Sequence, residues 1–292
     1  MAKIAIVGVG AIGGVTAALL QQTGSHELLL CTRRKMSRLL VETPNGAVDV
    51  RATFLTDSTE AFAVDWVIVA TKAYDVAGAA KWLETLCSKG APVAVLQNGV
   101  EHRQRFAPYV PMEKILPVMV DCPAERQAPD RIRQRGVMHL KVPDCTIGRD
   151  FVELFAGTLA DASVVSDFQS VVWRKLCFNS AGVLSALSMR PAGVVREKAM
   201  GEVAREIVRE CALVARAEGA HLEEDVVEVV LAAQCAAPID SVNSMLADRQ
   251  AGRPVEIDAR NGVIVRLGRK YGIPTPANSM AVALMEAMVR QS

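Results

Sequence analysis

Four short strand-like runs, KIAIVG (3–8), ELLLCT (27–32), WVIVAT (66–71) and PVAVLQN (92–98), recur through the first half of the chain. Helical stretches separate them, and this alternation predicts a parallel sheet covered by helices. Between the second and third runs, NGAVDVRATFLT (45–56) alternates around the turn-forming pair Asn45-Gly46, which predicts a local hairpin. KILPVMVDC and VMHLKVPDCTIG read as further, more antiparallel strands, and ASVVSD (162–167) closes this half. From Phe168 onward the texture changes. Long amphipathic segments such as GEVAREIVRECALVARAEGA take over, with apolar residues recurring at three and four. This half is predicted to be all helical, with breaks marked by Pro191, Pro238, Pro254, Pro274 and Pro276. No internal repeat, low-complexity tract or long Gly/Ser linker intervenes, so the expectation is two closely packed domains, 1–167 and 168–292, with a cleft between them.

Composition narrows the function classes. The 292 residues are 51% hydrophobic, enough to bury two cores. Lys plus Arg (33) nearly cancels Asp plus Glu (32), so a net charge of +1 provides no global field for nucleic acid or an anionic membrane. Any anion specificity must be local. The seven cysteines (Cys31, Cys87, Cys122, Cys145, Cys177, Cys211, Cys235) are scattered and form no C-x-x-C pair, so they read as buried thiols of a cytoplasmic protein. Lys3 and the uncharged run from Ile4 to Leu20 mimic a signal peptide, but Gly8, Gly10, Gly13 and Gly14 interrupt it and no polar cleavage region follows. No other apolar run approaches the length that suggests a membrane span.

The candidate chemistry begins at Gly8-Val9-Gly10-Ala11-Ile12-Gly13, a G-x-G-x-x-G directly after the first strand and opening a helix. Gly8 serves the tight turn, Gly10 lets the backbone approach a pyrophosphate, and Gly13 permits close packing of helix on strand. Ala11 and Ile12 open a helix whose N-terminus favours anions. The first domain is therefore expected to be a Rossmann-type dinucleotide-binding domain. An acidic residue at the end of the second strand would hold the ribose of NAD, yet Leu30-Cys31-Thr32-Arg33-Arg34-Lys35 stands there. Three cations suit a 2'-phosphate, so NADPH is favoured, with Arg33 and Arg34 as contacts and Thr32 as a hydroxyl donor. A solvated basic loop is the rival reading. Lys72 and Asn98 end two later strands and fall where ligands of open α/β sheets bind. Lys72 can serve the cofactor phosphates or the reacting centre. Asn98, followed by Gly99, can serve the nicotinamide, the substrate or a turn.

In the helical half, VVWRKLCFNS places Lys175 and Asn179 four apart on one helix face. Leu176, Cys177 and Phe178 between them are apolar, so this segment is expected to be largely buried, and a lysine there must be paired, useful or snorkelling. Ser244 and Glu256 flank a break at Gly252 to Pro254, before a second helix expected near Glu256. On composition alone, Glu256 and Asp258 are first-turn carboxylates favoured by the helix dipole. His26, His102, His139 and His221 are isolated and lack metal-ligand spacing, so no metal is expected. Ser185 and Ser188 lack a His/Asp partner, and Trp66, Trp82 and Trp173 read as core.

GVGAIGG at the start, TK at 71–72, QNGV at 97–100, K-x-x-x-N at 175–179 and SML...GR...EID...GIPTP...N at 244–278 follow one another in the order of the ketopantoate reductases, and the chain resembles that family over essentially its whole length. The resemblance implies an α/β dinucleotide-binding domain joined to an all-α domain, with the active site in the cleft. It also implies reduction of 2-dehydropantoate, or another small-molecule 2-oxo acid, by NADPH, a step of pantothenate biosynthesis. By this likeness Lys175 is the general acid and carbonyl polariser, Glu256 the carboxylate that engages substrate and supports the lysine, and Asn98, Asn179 and Ser244 the substrate or nicotinamide contacts. Such a role suits an ammonium, because negative charge grows on the carbonyl oxygen as hydride arrives.

One departure bears on the substrate. Val183 and Gly193 stand where the family leads one to expect polar residues, which admits a 2-oxo acid with less to hydrogen-bond. The rival functions are an NADPH-dependent reductase of another ketone or an imine, and a regulator that binds NADPH without turnover. The apolar content of the helical half leaves room for a homodimer.

Overall fold

Successive residues of the strand-like runs turn to opposite sides of one parallel sheet, and each side carries its own core. The computed structural model describes residues 1–289. It divides the chain into two compact units, Met1–Gln97 with Glu101–Phe168, and Asn98–Val100 with the residues from Gln169 onward.

In the first unit, β1 (Ala2–Val7) leads through α1 (Ala11–Gln22) to β2 (His26–Cys31). Then follow β3 (Leu40–Thr43), β4 (Gly46–Asp49), β5 (Thr53–Leu55), β6 (Trp66–Val69), α2 (Val76–Leu86), β7 (Val93–Val95), α3 (His102–Phe106) and β8 (Ile115–Pro117). The sheet order is β5-β2-β1-β6-β7-β8, with every neighbouring pair parallel. Ile4, Ile6, Leu28, Leu30 and Ile68 pack with Val15 and Leu19 of α1, whereas Ala5, Val7, Leu29, Val67 and Val69 pack with Trp82, Leu83 and Leu86 of α2. Burial on both faces is why these runs carry almost no polar positions. The order reverses between β1 and β6, so the turn after β1 lies at the switch point where ligands of such sheets bind.

The unit continues with β9 (Met119–Asp121), β10 (Ala124–Ala128), β11 (Arg131–Gln134), β12 (Met138–Pro143), α4 (Thr146–Glu153) and β13 (Ala160–Val165). These build two small sheets, β10-β11-β3-β4 and β13-β12-β9. Three details differ from the pattern reading. The hairpin is β3–β4, turning at Pro44-Asn45 with Thr43 opposite Gly46, while β5 leaves it to pair parallel with β2. Ile115–Pro117 is a parallel strand beside β7, not an antiparallel one; only Met119–Asp121 of that run pairs antiparallel, with β12. The β10–β11 hairpin escaped notice because AERQAPDRIRQ is mostly polar. Its one buried aliphatic anchor, Ile132, sits so close to α1 that a Cβ at Gly14 would lie 2.2 Å from its Cδ1.

The second unit contains α5 (Phe168–Ala181, whose first residue belongs to the first unit), α6 (Val183–Ser188), α7 (Lys198–Ala217), α8 (Val226–Ala236), α9 (Ser244–Gln250), α10 (Val263–Tyr271) and α11 (Pro276–Val289). A π turn, Asp258–Gly262, runs directly into α10. Pro276 is the first residue of α11, where a missing N–H costs nothing. Buried Glu210 of α7 accepts from the Ala277 and Asn278 amides at 2.8 and 2.9 Å and from Asn278 Nδ2 at 2.7 Å. A carboxylate thus caps the N-terminus of α11. Asn278 Oδ1 in turn accepts from Asn261 Nδ2 at 2.9 Å, and the same amide donates to Ser180 O at 3.0 Å. This buried network fixes α5, α7, α11 and the π turn against one another. Asn278, part of the closing motif, is a structural residue.

Cys31, Cys177 and Cys211 are buried and Cys87, Cys122 and Cys145 partly so, but Cys235 is exposed, which corrects the reading of seven buried thiols. Burial pushes the Cys31 thiol up to about 12. Among the described residues no helix is long and apolar enough to cross a membrane.

Candidate active site

The glycine turn separates what the chain needs for its own packing from what a ligand needs. Gly8 has φ +98°, and a Cβ there would lie 2.7 Å from the Thr71 backbone N. A Cβ on Gly13 would lie 2.2 Å from Gly8 O. Both positions are therefore glycine for reasons internal to the fold. Gly10 is different: a Cβ there meets nothing within 4 Å. Open space at Gly10, at the start of α1, fits a phosphate seat, because the first-turn amides of a helix, Ala11 and Ile12 among them, have no intrahelical acceptor. The guanidinium of Arg126, from the unforeseen β10, donates to Val9 O within this turn.

Beyond β2 the basic loop is laid out unevenly. Thr32 is buried, and its hydroxyl donates to Arg34 O at 2.7 Å. That proton is committed to bracing the loop, which argues against Thr32 as a phosphate donor. Arg33 and Arg34 are exposed, and Arg33 pairs with Asp75, the residue before α2, at 3.4 Å. Lys72 is half-buried in the loop after β6, and its carbonyl accepts from Gln97 Nε2 at 3.3 Å. The same amide donates to Thr71 Oγ1 at 2.9 Å, so the ends of β6 and β7 are tied together.

In the helical unit the nominated residues fall into two groups. Asn98 Nδ2 donates to Glu256 Oε2 at 3.0 Å, and Asn179 Nδ2 reaches Asn98 Oδ1 at 3.4 Å. Glu256 is 5% exposed. Close approach here depends on Gly99, at φ +104°, where a Cβ would lie 2.8 Å from Ala259 O in the π turn. Lys175 lies one turn before Asn179 on α5 and is half-buried. Its neighbours Leu176 and Cys177 are buried, but Phe178 is exposed, contrary to the expectation for that segment.

Ser244 forms the second group. It follows Asn243, whose side chain caps α9 by accepting from the Met245 and Leu246 amides, each at 3.0 Å. Ser244 Oγ accepts from Arg260 Nη2 at 2.7 Å. Arg260 was not singled out in the sequence, because an arginine two residues after an Asp at a helix start looks like an exposed charge. It is 4% exposed, and burial pulls its pKa below the usual arginine range while Glu256 and Asp248 oppose that fall.

The family model described as Ketopantoate reductase PanE/ApbA matches residues 4–146, and that of its C-terminal part matches 167–289. The chain belongs to the ketopantoate reductase family. The 2-dehydropantoate 2-reductase of Caulobacter vibrioides is 46% identical, covering 98% of this chain and 99% of that one. The enzyme of the same name from Mycobacterium tuberculosis is 40% identical, covering 97% of each chain. A crystal structure of a PanE/ApbA family ketopantoate reductase from Ralstonia eutropha superposes with a TM-score of 0.89 at 29% identity, covering 99% of both chains.

Two positions set this ketopantoate reductase family member apart from the polar pattern expected of it. Val183 is fully buried, and a Cβ on Gly193 would lie 2.3 Å from Ile239 Cγ1. Both positions serve packing. A surface concavity of about 810 Å³ on the first unit, lined by Gln21, Arg38, Asp49 and Arg51 among others, includes none of the nominated residues. Among the described residues no group of three or more His, Cys, Asp or Glu side chains is arranged to hold a metal ion.

Proposed function

We propose that this chain reduces a 2-oxo acid, 2-dehydropantoate first, to the 2-hydroxy acid with NADPH as the reductant. The observation that carries this reading is the hydrogen-bonded chain Asn179–Asn98–Glu256, beside the helix turn that bears Lys175. Gly10, Ala11 and Ile12 would hold the pyrophosphate in the turn that Gly8 and Gly13 shape, Arg33 and Arg34 the 2'-phosphate, and Lys72 a phosphate or the reacting end. Three cations and no carboxylate in the loop after β2 favour the phosphorylated cofactor.

Bound there, the dinucleotide supplies the hydride. The Lys175 ammonium stabilises the negative charge that develops on the carbonyl oxygen and then protonates it. Glu256, held by the Asn98 amide, accepts a hydrogen bond from the substrate and orients it. Asn179 holds Asn98 in turn. Purified protein mixed with NADPH and a panel of 2-oxo acids, other ketones and imines should consume NADPH with 2-dehydropantoate or a branched 2-oxo acid. Turnover of imines alone, or NADPH binding with no oxidation, would overturn the reading. An apolar residue, Val183, stands where the family pattern leads one to expect a polar one, so a branched 2-oxo acid with fewer polar groups belongs in the panel.

A further inference from the structure

Arg260 has no part in the mechanism above, yet it is a charged side chain almost entirely removed from water. Buried charges are usually matched by a hydrogen-bonded counter-charge. Here Nη2 donates to the uncharged Ser244 hydroxyl at 2.7 Å, and Nε is buried with no acceptor. Two carboxylates, Glu256 and Asp248, oppose the fall of its pKa, and each also takes another donor. Asp248 Oδ1 takes Arg253 Nε at 2.9 Å, and Glu256 Oε2 takes Asn98 Nδ2 at 3.0 Å. Arg260 also sits inside the π turn, and such turns recur at functional sites.

The serine it touches is an exposed residue at the start of α9. A serine has one proton and two lone pairs. By accepting from Arg260, Ser244 keeps its proton for an outside acceptor, with a positive charge directly behind it. That is the chemistry of a carboxylate receptor. A 2-oxo acid presents two oxygen functions side by side, a carbonyl and a carboxylate, and Lys175 is assigned to the first.

We propose that Arg260 is the positioning residue of the carboxylate subsite, turning the Ser244 hydroxyl proton toward the substrate and supplying the counter-charge behind it. This rests on the reading of the chain as a 2-oxo-acid reductase. Acting through Ser244, Arg260 sets preference for an anionic substrate over an uncharged one of the same shape.

The test compares a 2-oxo acid with the corresponding uncharged 2-oxo amide in the unaltered protein, R260M, R260K and S244A. R260M should raise KM for the acid by about 10- to 100-fold, the range of a lost charge-assisted hydrogen bond, with a smaller change in kcat. The amide should be little affected, so the acid-to-amide ratio of kcat/KM collapses. R260K should recover part of it, S244A should reproduce the collapse, and R260M/S244A should add little, because the two act as one unit. An unchanged ratio in folded R260M, or equal losses on acid and amide, would overturn the proposal. If R260M does not fold, an unchanged ratio in both R260K and S244A has the same force. If the unaltered protein reduces no 2-oxo acid, the functional reading fails separately, and calorimetric binding of acid and amide decides the subsite: equal affinity for the two overturns it.

Discussion

Asn98 and Glu256, 158 positions apart in the chain, meet in a 3.0 Å hydrogen bond from the amide to the carboxylate. Removing the amide leaves a buried carboxylate short of a donor, at a cost of about 1–3 kcal/mol. Asn98→Ala should therefore raise KM for the 2-oxo acid, by roughly 5- to 100-fold if that cost falls on substrate binding. Glu256→Ala should raise KM and slow turnover together, because a group that binds substrate acts before the transition state is reached. Steady-state kinetics of both variants, with unchanged KM in each as the contrary outcome, test the role given to the pair.

Lys175→Ala should depress kcat and kcat/KM together by about 100- to 10,000-fold, the usual contribution of a general acid, while NADPH affinity stays put. Lys175→Arg should rescue little, since a guanidinium gives up its proton poorly. Folded Lys175→Met that keeps most of its activity would reduce the lysine to a packing residue.

NADPH should bind more tightly than NADH, and Arg33→Ala with Arg34→Ala should erase most of the difference while leaving NADH nearly unaffected. Charge-assisted phosphate contacts are worth about 1.5–3 kcal/mol per bond at best, and the exposure of both arginines places the expected loss toward the low end. Because Asp75 competes for Arg33 in the 3.4 Å ion pair, Asp75→Asn should tighten NADPH modestly. Equal affinities for both cofactors in the unaltered protein would refute the assignment.

The glycine turn yields a contrast between two similar substitutions. Gly8→Ala should lower Tm, since its Cβ would meet Thr71 at 2.7 Å in a left-handed backbone. Gly10→Ala should fold normally, because its Cβ meets nothing within 4 Å, yet should weaken cofactor binding by narrowing the phosphate seat. Thermal unfolding and cofactor titration separate the two. Undiminished affinity in Gly10→Ala would remove the phosphate from this turn.

His102 is buried, with Nε2 2.8 Å from Gln97 O, and desolvation lowers its pKa from 6.5. The neutral ring supports the fold, so this contribution is fully present above about pH 6.5 and is lost as pH falls below that value, where the unfolded chain takes up the proton first. Stability measured by denaturant unfolding should decline from about pH 6.5 downward, and His102→Gln should flatten that decline. An unchanged slope in the variant would assign the acid sensitivity to other groups.

Much of this was legible in the chain itself, for reasons that lie in local chemistry. A run such as KIAIVG is buried on both faces and reads as a central strand wherever it occurs; apolar residues at three and four read as helix. Gly8 and Gly13 were readable because a turn and a close approach leave no room for a side chain. The polar β10–β11 hairpin was not, since pairing at a sheet edge leaves little trace in hydrophobic pattern. The pairing of Ile115–Pro117 was misjudged because strand direction depends on the route of the connecting chain, which periodicity does not record.

At the site the division is sharper. Sequence alone determined which residue types were available for hydride-transfer chemistry: a phosphate-binding turn, a basic loop, an amide, a lysine and a carboxylate at separate places along the chain. Only the tertiary structure decided that Asn98 groups with the helical unit and bonds to Glu256, and that Arg260 is buried behind Ser244. The physical reason is that a side chain's partners and its exposure follow from packing between segments distant in sequence, whereas composition and spacing report only the surroundings that a residue's own helix or strand provides.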